Sequence, residues 1–337
     1  MSYNNQIDTI GLLALKSIKG VGDKSILKIL ESGHPFNDLS GLDEEELGRY
    51  IGGRFKKDAI DEIINGSDGA LDKAQEQFDF LADNEITAIS ILDNQYPSYY
   101  RLIHDFPVFL FTKGDFSLLN HKNSIAVIGT RNCTEIGRDI AKNTAIRFAE
   151  MKYNIVSGLA EGIDTAAHKG ALEAGGKTTA ILVSIDNILP EKNKELAEEI
   201  VESGGLLVSE NPPGTFINKG EFVKRDRLQS ALSLGVFPIE TDEKGGTMHT
   251  VNFAEEQERL LFCPDLEKIP SYPRRSRFSR GISMLLRQNR AVPYNKESYD
   301  DVIKKLDEKK KDLEGRIETK KREQLKKTSE GNPELFK

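Results

Sequence analysis

Residues 125–183 constrain the fold more than any other stretch: IAVIGTRNCTEIGRDIAKNTAIRFAEMKYNIVSGLAEGIDTAAHKGALEAGGKTTAILV. Three short apolar runs, Ile125–Ile128, Ile155–Ser157 and Thr179–Val183, alternate with two segments of helical period. In the first of these, Ile136, Ile140, Ala141, Thr144, Phe148 and Ala149 share one face. The second follows Gly158 and has Asp164 as its expected N-cap. Strand, helix, strand, helix, strand is the rhythm of a parallel, doubly wound sheet.

The flanking sequence fits that frame. Further apolar runs at Leu206–Val208, Val236–Ile239 and Leu260–Cys263 predict more strands, with helices around Glu195–Ser203, Lys224–Leu232 and Gly281–Gln288 between them. ITAISILD and PVFLFTKG read as strands able to join a sheet edge. The expected organisation is a small all-α domain over 1–80, a Rossmann-like α/β domain over 81–295 and a charged tail, helical or disordered, over 296–337. In the first of these, SIKGVGDKSILKIL has the Gly-h-Gly break of a helix-hairpin-helix, flanked by Lys19 and Lys24. YIGGRFKKDAIDEII suggests a second hairpin, and Gly66–Asp72 reads as a loop.

Composition narrows the class. No apolar run reaches the ~18–20 residues that span a bilayer, and the N-terminus lacks the pattern of a signal peptide, so the cytoplasm is expected. Cys133 and Cys263 stand far apart with no Cys/His cluster, which argues against disulfides and zinc. The net charge of −7 excludes a chain that is basic throughout, but not a local basic field. Arg274, Arg275, Arg277, Arg280, Arg287 and Arg290 occur with no acid among them.

In such a sheet the strand-to-helix turns open on the carboxyl edge, where ligands bind. Those turns contain Gly129-Thr130-Arg131, Ser157-Gly158, Ser209-Glu210 and Lys244-Gly245-Gly246-Thr247. Small residues there admit a phosphate to backbone N–H groups, and Arg131 adds a guanidinium fork. Lys224, Arg225 and Arg227 beside Phe222 form a basic patch at a helix start. Gly175-Gly176-Lys177-Thr178 ends a helix and opens a strand, the reverse of a P-loop, and Gly129…Gly137 misses the dinucleotide spacing. No NAD or ATP cofactor is therefore expected. Asp164 and His168, four apart on one helix, allow acid–base work, although no nucleophile accompanies them.

Read together, SGLAEGIDTAAHKGALEAGGKT resembles the SGxAxGID-x-x-AH-x-GAL-x-x-GG-x-T signature of the DNA-processing protein A (DprA/Smf) family. IAVIGTR is similar to its VGSR turn, SENPPG to SEYPPG, FVKRDR to F-P-x-RNR and GGTMHT to SGSLIT. The resemblance covers residues 10–295 and stops before the winged-helix domain of many members. It implies a Rossmann-like domain that binds single-stranded DNA without a catalytic step, helps to load a RecA-type recombinase in natural transformation, and forms a homodimer. By motif it places Arg131, Ser157, Gly158, Lys169, Lys177, Arg225 and Arg227 on the DNA, with Gly129, Gly245, Gly246 and Thr247 as further phosphate-facing positions. Thr130 and Asp226 depart from the family's Ser and Asn. The GG-T turn at 245–247 also resembles that of nucleotide sensors and phosphoribohydrolases in the wider superfamily. In that alternative, Glu161, Glu210 and Glu240 are the acids to test.

Overall fold

The computed structural model describes residues 3–32, 43, 45, 47, 60, 61, 63, 67–269, 272 and 276–331. The chain divides into two compact units, one made of 1–94, 107–110 and 319–337 and the other of 95–106 and 111–318.

The described part of the first unit is helical, with one strand. Helices α1 (Tyr3–Ser17) and α2 (Asp23–Ser32) meet at the expected break. Gly20 takes φ +99°, open to glycine and costly for other residues, and Val21 turns inward to the core. Lys16 pairs with Asp23 across the turn, and Lys19 and Lys24 are exposed. The second expected hairpin lies almost wholly outside the described residues. The loop expected over Gly66–Asp72 is instead the start of α3 (Ser67–Asp83). Ala70, Ala74 and Leu81 fall on one buried face, and that packing outweighs the cost of exposed Gly69. Strand β1 (Thr87–Ser90) follows, and Ile91 donates to the Val108 carbonyl at 2.9 Å.

The second unit is built on β2 (Phe109–Gly114, its first two residues counted with the first unit), β3 (Ser124–Ile128), β4 (Asn154–Ser157), β5 (Thr178–Leu182), β6 (Leu206–Ser209), β7 (Gly235–Pro238), β8 (Leu260–Pro264) and β9 (Val292–Tyr294). They lie in the order β2-β6-β5-β4-β3-β7-β8-β9. Only β2 runs antiparallel, pairing Phe111 with Ser209. The order reverses between β3 and β7, which is the topological switch of a doubly wound sheet. The connecting helices are α4 (Glu135–Glu150), α5 (Ile163–Glu173), α6 (Lys194–Glu202), α7 (Lys219–Ala231), α8 (Thr247–Glu256) and α9 (Ser279–Arg287). In sheets of this kind right-handed crossovers put the helices of the two halves on opposite faces.

The strands at the centre read as unbroken apolar runs because both faces are covered. Phe237 stacks on Phe262 at 5.0 Å and meets Phe148 edge-on at 5.1 Å. The charged segment read as a tail is α10 (Tyr299–Gly331), and up to Glu318 it belongs to this unit. Val302, Leu306 and Leu313 form a sparse helical stripe that is fully buried in the same core as Phe148 and Phe237. Few apolar residues suffice when they share one face. No helix among the described residues is long and apolar enough to cross a membrane.

Candidate functional site

The carboxyl ends of β3, β4, β5 and β7 line one edge, and two carboxylates of the protein already occupy it. At the switch between β3 and β7, Glu240 is fully buried. It accepts the Thr134 N–H at 2.8 Å, the Thr134 hydroxyl at 2.6 Å and the Tyr272 hydroxyl at 2.6 Å. Thr134 caps α4 and accepts the Gly137 N–H at 2.9 Å. A side chain on Gly137 would fall 2.3 Å from the Glu240 carboxyl carbon, so the place where a dinucleotide fold takes its pyrophosphate is filled from within.

One strand over, Asp164 does the same for the Gly158 turn. Its Oδ2 accepts the Gly158 N–H at 3.1 Å and the Ala160 N–H at 3.3 Å. The expected N-cap role falls to Gly162 instead, and Asp164 reaches back from inside the first turn of α5. Gly162 must be glycine: it has φ +84°, and a Cβ would lie 2.4 Å from the Arg131 carbonyl oxygen. Burial raises the Asp164 pKa to about 6, against the opposing pull of Arg225.

Arg225 has donors left without acceptors. It is 6 % exposed, and its Nε and Nη1 have no hydrogen-bond acceptor among the described residues. An Asp226 carboxylate oxygen is 3.6 Å from its Nε, within ion-pair range but too far for a hydrogen bond. The guanidinium lies against Gly158, where a Cβ would stand 1.9 Å from Nη1. Together they line a small crevice with Val183, Ser184, Leu189 and Phe222. Asn211 and Ser209 donate to the Val183 carbonyl, and the Gly214 N–H donates to Asp186, fastening the Pro-Pro-Gly loop over this wall. Arg131 is exposed and lies over the Phe222 ring at 5.7 Å, which brings it beside the crevice.

The other expected residues divide by position. Arg227 is two residues from Arg225, about 200° round the helix, and so faces away from the crevice. It is buried in a bidentate pair with Glu210, at 2.6 and 2.8 Å, and also meets Asp105 at 2.8 Å. Lys224, one turn earlier, shares Glu210 at 3.1 Å. The reading of 224, 225 and 227 as one phosphate-facing patch is thus corrected: Arg225 alone faces the crevice. Lys177 precedes β5 on the amino edge and donates to the Ser203 carbonyl at 2.9 Å, away from the other residues. Lys169 is exposed on α5. The Ser157 hydroxyl is buried and donates to the Val127 carbonyl at 2.7 Å. Gly129 makes room for Ile163, 2.5 Å from where its Cβ would be. At the GG-T turn the Gly245 N–H donates to the Asp242 carbonyl, Gly246 faces open space, and Thr247 begins α8 without a side-chain cap.

The acids of the nucleotide alternative are largely engaged. Glu210 is held below the usual carboxylate range by Arg227 despite its burial, Glu240 is bound as above, and only Glu161 is exposed, 3.5 Å from Lys192. Asp164 and His168 do not form a dyad. The Thr178 hydroxyl donates to the Ile155 carbonyl, so it accepts the His168 Nδ1–H at 2.7 Å. Burial lowers the His168 pKa to about 3 and keeps the ring neutral. Among the described residues no cluster of His, Cys, Asp or Glu is placed to hold a metal. The walls contributed by Leu189 and Ile217 carried no sequence signal, since both sit in loops.

Residues 87–307 match the family model of DNA recombination-mediator protein A. The chain belongs to that family. DNA processing protein DprA of Streptococcus pneumoniae is 34 % identical over 249 residues, covering 72 % of this chain and 82 % of that protein. Its Bacillus subtilis counterpart is 36 % identical over 179 residues, 53 % of this chain and 60 % of that protein's length. Among solved structures, S. pneumoniae DprA aligns with TM-score 0.68 at 32 % identity, over 83 % of this chain and 92 % of that one. DNA processing protein A from Helicobacter pylori, described for its single-stranded DNA binding mode, aligns with TM-score 0.58 at 29 % identity, over 66 % and 96 %. Family membership supports a DNA-processing role for this chain.

Proposed function

We propose that this protein is a cytoplasmic recombination mediator that binds single-stranded DNA along the β3–β5 carboxyl edge. In this reading it shields the strand and assists a RecA-type recombinase to load on it, acting as a homodimer and making no covalent change. The observation that carries the reading is Arg225: a buried guanidinium at a crevice wall, with two nitrogens lacking hydrogen-bond acceptors among the described residues. Burying a cation whose donors are unmet costs stability, and a phosphate oxygen supplies what is missing. Arg131 beside it and exposed Lys169 are the further contacts proposed; Lys177 is left out because it lies at the other edge. The H. pylori relative's binding of single strands supports the choice of ligand.

The test is fluorescence anisotropy of a labelled oligothymidylate at low salt, with a mononucleotide as competitor. Binding that a large excess of mononucleotide does not displace supports the reading. Absence of oligonucleotide binding refutes it, and a mononucleotide that binds alone and raises the melting temperature favours the nucleotide-sensor alternative.

A further inference from the structure

The Gly158 turn holds an anion of the protein's own in the place where a ligand's phosphate was expected. Asp164 Oδ2 takes both turn amides, and a Cβ on Gly158 would lie 2.8 Å from that oxygen and 1.9 Å from Arg225 Nη1. Carboxylate and guanidinium therefore flank the same turn, with no hydrogen bond or ion pair between them. An aspartate oxygen and a phosphate oxygen make the same demands there: two N–H donors and a cation. We infer that Asp164 is a positioning residue that competes with the phosphate of a bound strand for the turn amides beside Arg225, and thereby sets how tightly the edge holds DNA. This rests on the single-strand reading above.

The competition is linked to protons. The charged and titratable groups around Asp164 are Arg225 and Asp226 on α7 and His168 on its own helix, with Arg131 and His249 approaching Asp226. With its pKa near 6, Asp164 is mostly ionised at neutral pH. A phosphate brought close to it raises the pKa further, so a strand that binds above pH 6 brings a proton with it. His168, neutral down to about pH 3, supplies none of this. His249 is exposed and approaches Asp226, so His249→Gln is the parent for every measurement.

Binding of an oligothymidylate by the full chain is measured from pH 6 to 8 at fixed salt, together with calorimetry in two buffers of different ionisation heat. The parent is expected to bind up to about ten-fold more tightly per pH unit lowered and to take up close to one proton. Adding Asp164→Asn, whose amide oxygen still accepts both turn N–H groups, is expected to tighten binding at pH 8 by up to about a hundred-fold, two pH units of that slope, and to remove the pH slope. An unchanged slope in Asp164→Asn overturns the inference. So does zero proton uptake by the parent, a measurement that needs no variant to fold. pH-independent binding by the parent leaves the single-strand reading standing and removes only this one, whereas no binding at any pH removes both.

Discussion

Arg225 and Arg227 differ by two positions on one helix and are expected to fail in opposite ways. Arg227 is 3 % exposed and Glu210 2 % exposed, joined by two hydrogen bonds, with Asp105 on the other side of the guanidinium. Arg227→Met removes the cation and leaves Glu210 buried with Lys224 alone at 3.1 Å. Breaking a buried pair from one side costs about 3–5 kcal/mol. At roughly 2–4 °C per kcal/mol for a domain of this size, the melting point of the second unit should fall by about 6–20 °C. Arg225→Met removes a cation whose Nε and Nη1 have no hydrogen-bond acceptor among the described residues and whose ion pair with Asp226 is long at 3.6 Å, so stability should fall by less than in Arg227→Met while oligonucleotide affinity falls. Differential scanning calorimetry and anisotropy on both variants decide the matter. If Arg227→Met melts like the parent and loses DNA as Arg225→Met does, the assignment of the two arginines is refuted.

Three further outcomes follow from the geometry. Gly158→Ala should displace the Arg225 side chain, whose Nη1 would lie 1.9 Å from the new methyl, and weaken oligonucleotide binding with the far-ultraviolet circular dichroism unchanged. Leu306→Ala should destabilise the second unit by about 2–5 kcal/mol in urea unfolding, because α10 closes its core; a cost near zero would return that helix to the status of a tail. His168 is depressed to about pH 3 when folded and ordinarily titrates near 6.5, so its contribution is full above that value and declines as pH falls toward 3. Asp164, raised to about 6, works in the opposite sense between about pH 4 and 6, and His168→Asn should therefore remove the fall and expose that rise in stability toward acid.

The sheet was legible because its strands are buried on both faces and bounded by glycines, giving apolar runs that no amphipathic helix imitates. α3 and α10 were harder to read for a common reason. Gly69 and the lysine-rich stretch after 300 argue locally against packed helix, and only a few well-spaced residues such as Ala70, Ala74, Leu306 and Leu313 argue for it. Within the site, Gly158, Arg131 and Arg225 were found from the turns and from family motifs. The separation of Arg225 from Arg227 was available in the helical period, which places them on opposite sides. The roles of Glu240 and Asp164 were not available, since each binds amides that only the folded turns bring within reach. Both carboxylates take up turn or helix-start amides at the edge where a nucleotide fold holds phosphate.

The central claim, that Arg225 receives a phosphate of single-stranded DNA, is tested most directly by the salt dependence of oligonucleotide affinity in the parent and in Arg225→Met. Each phosphate contact contributes about 0.7 to the slope of log affinity against log salt on a single strand. The account predicts weaker binding for Arg225→Met at low salt and a slope shallower by about 0.7. Superimposable lines for the two proteins would contradict it.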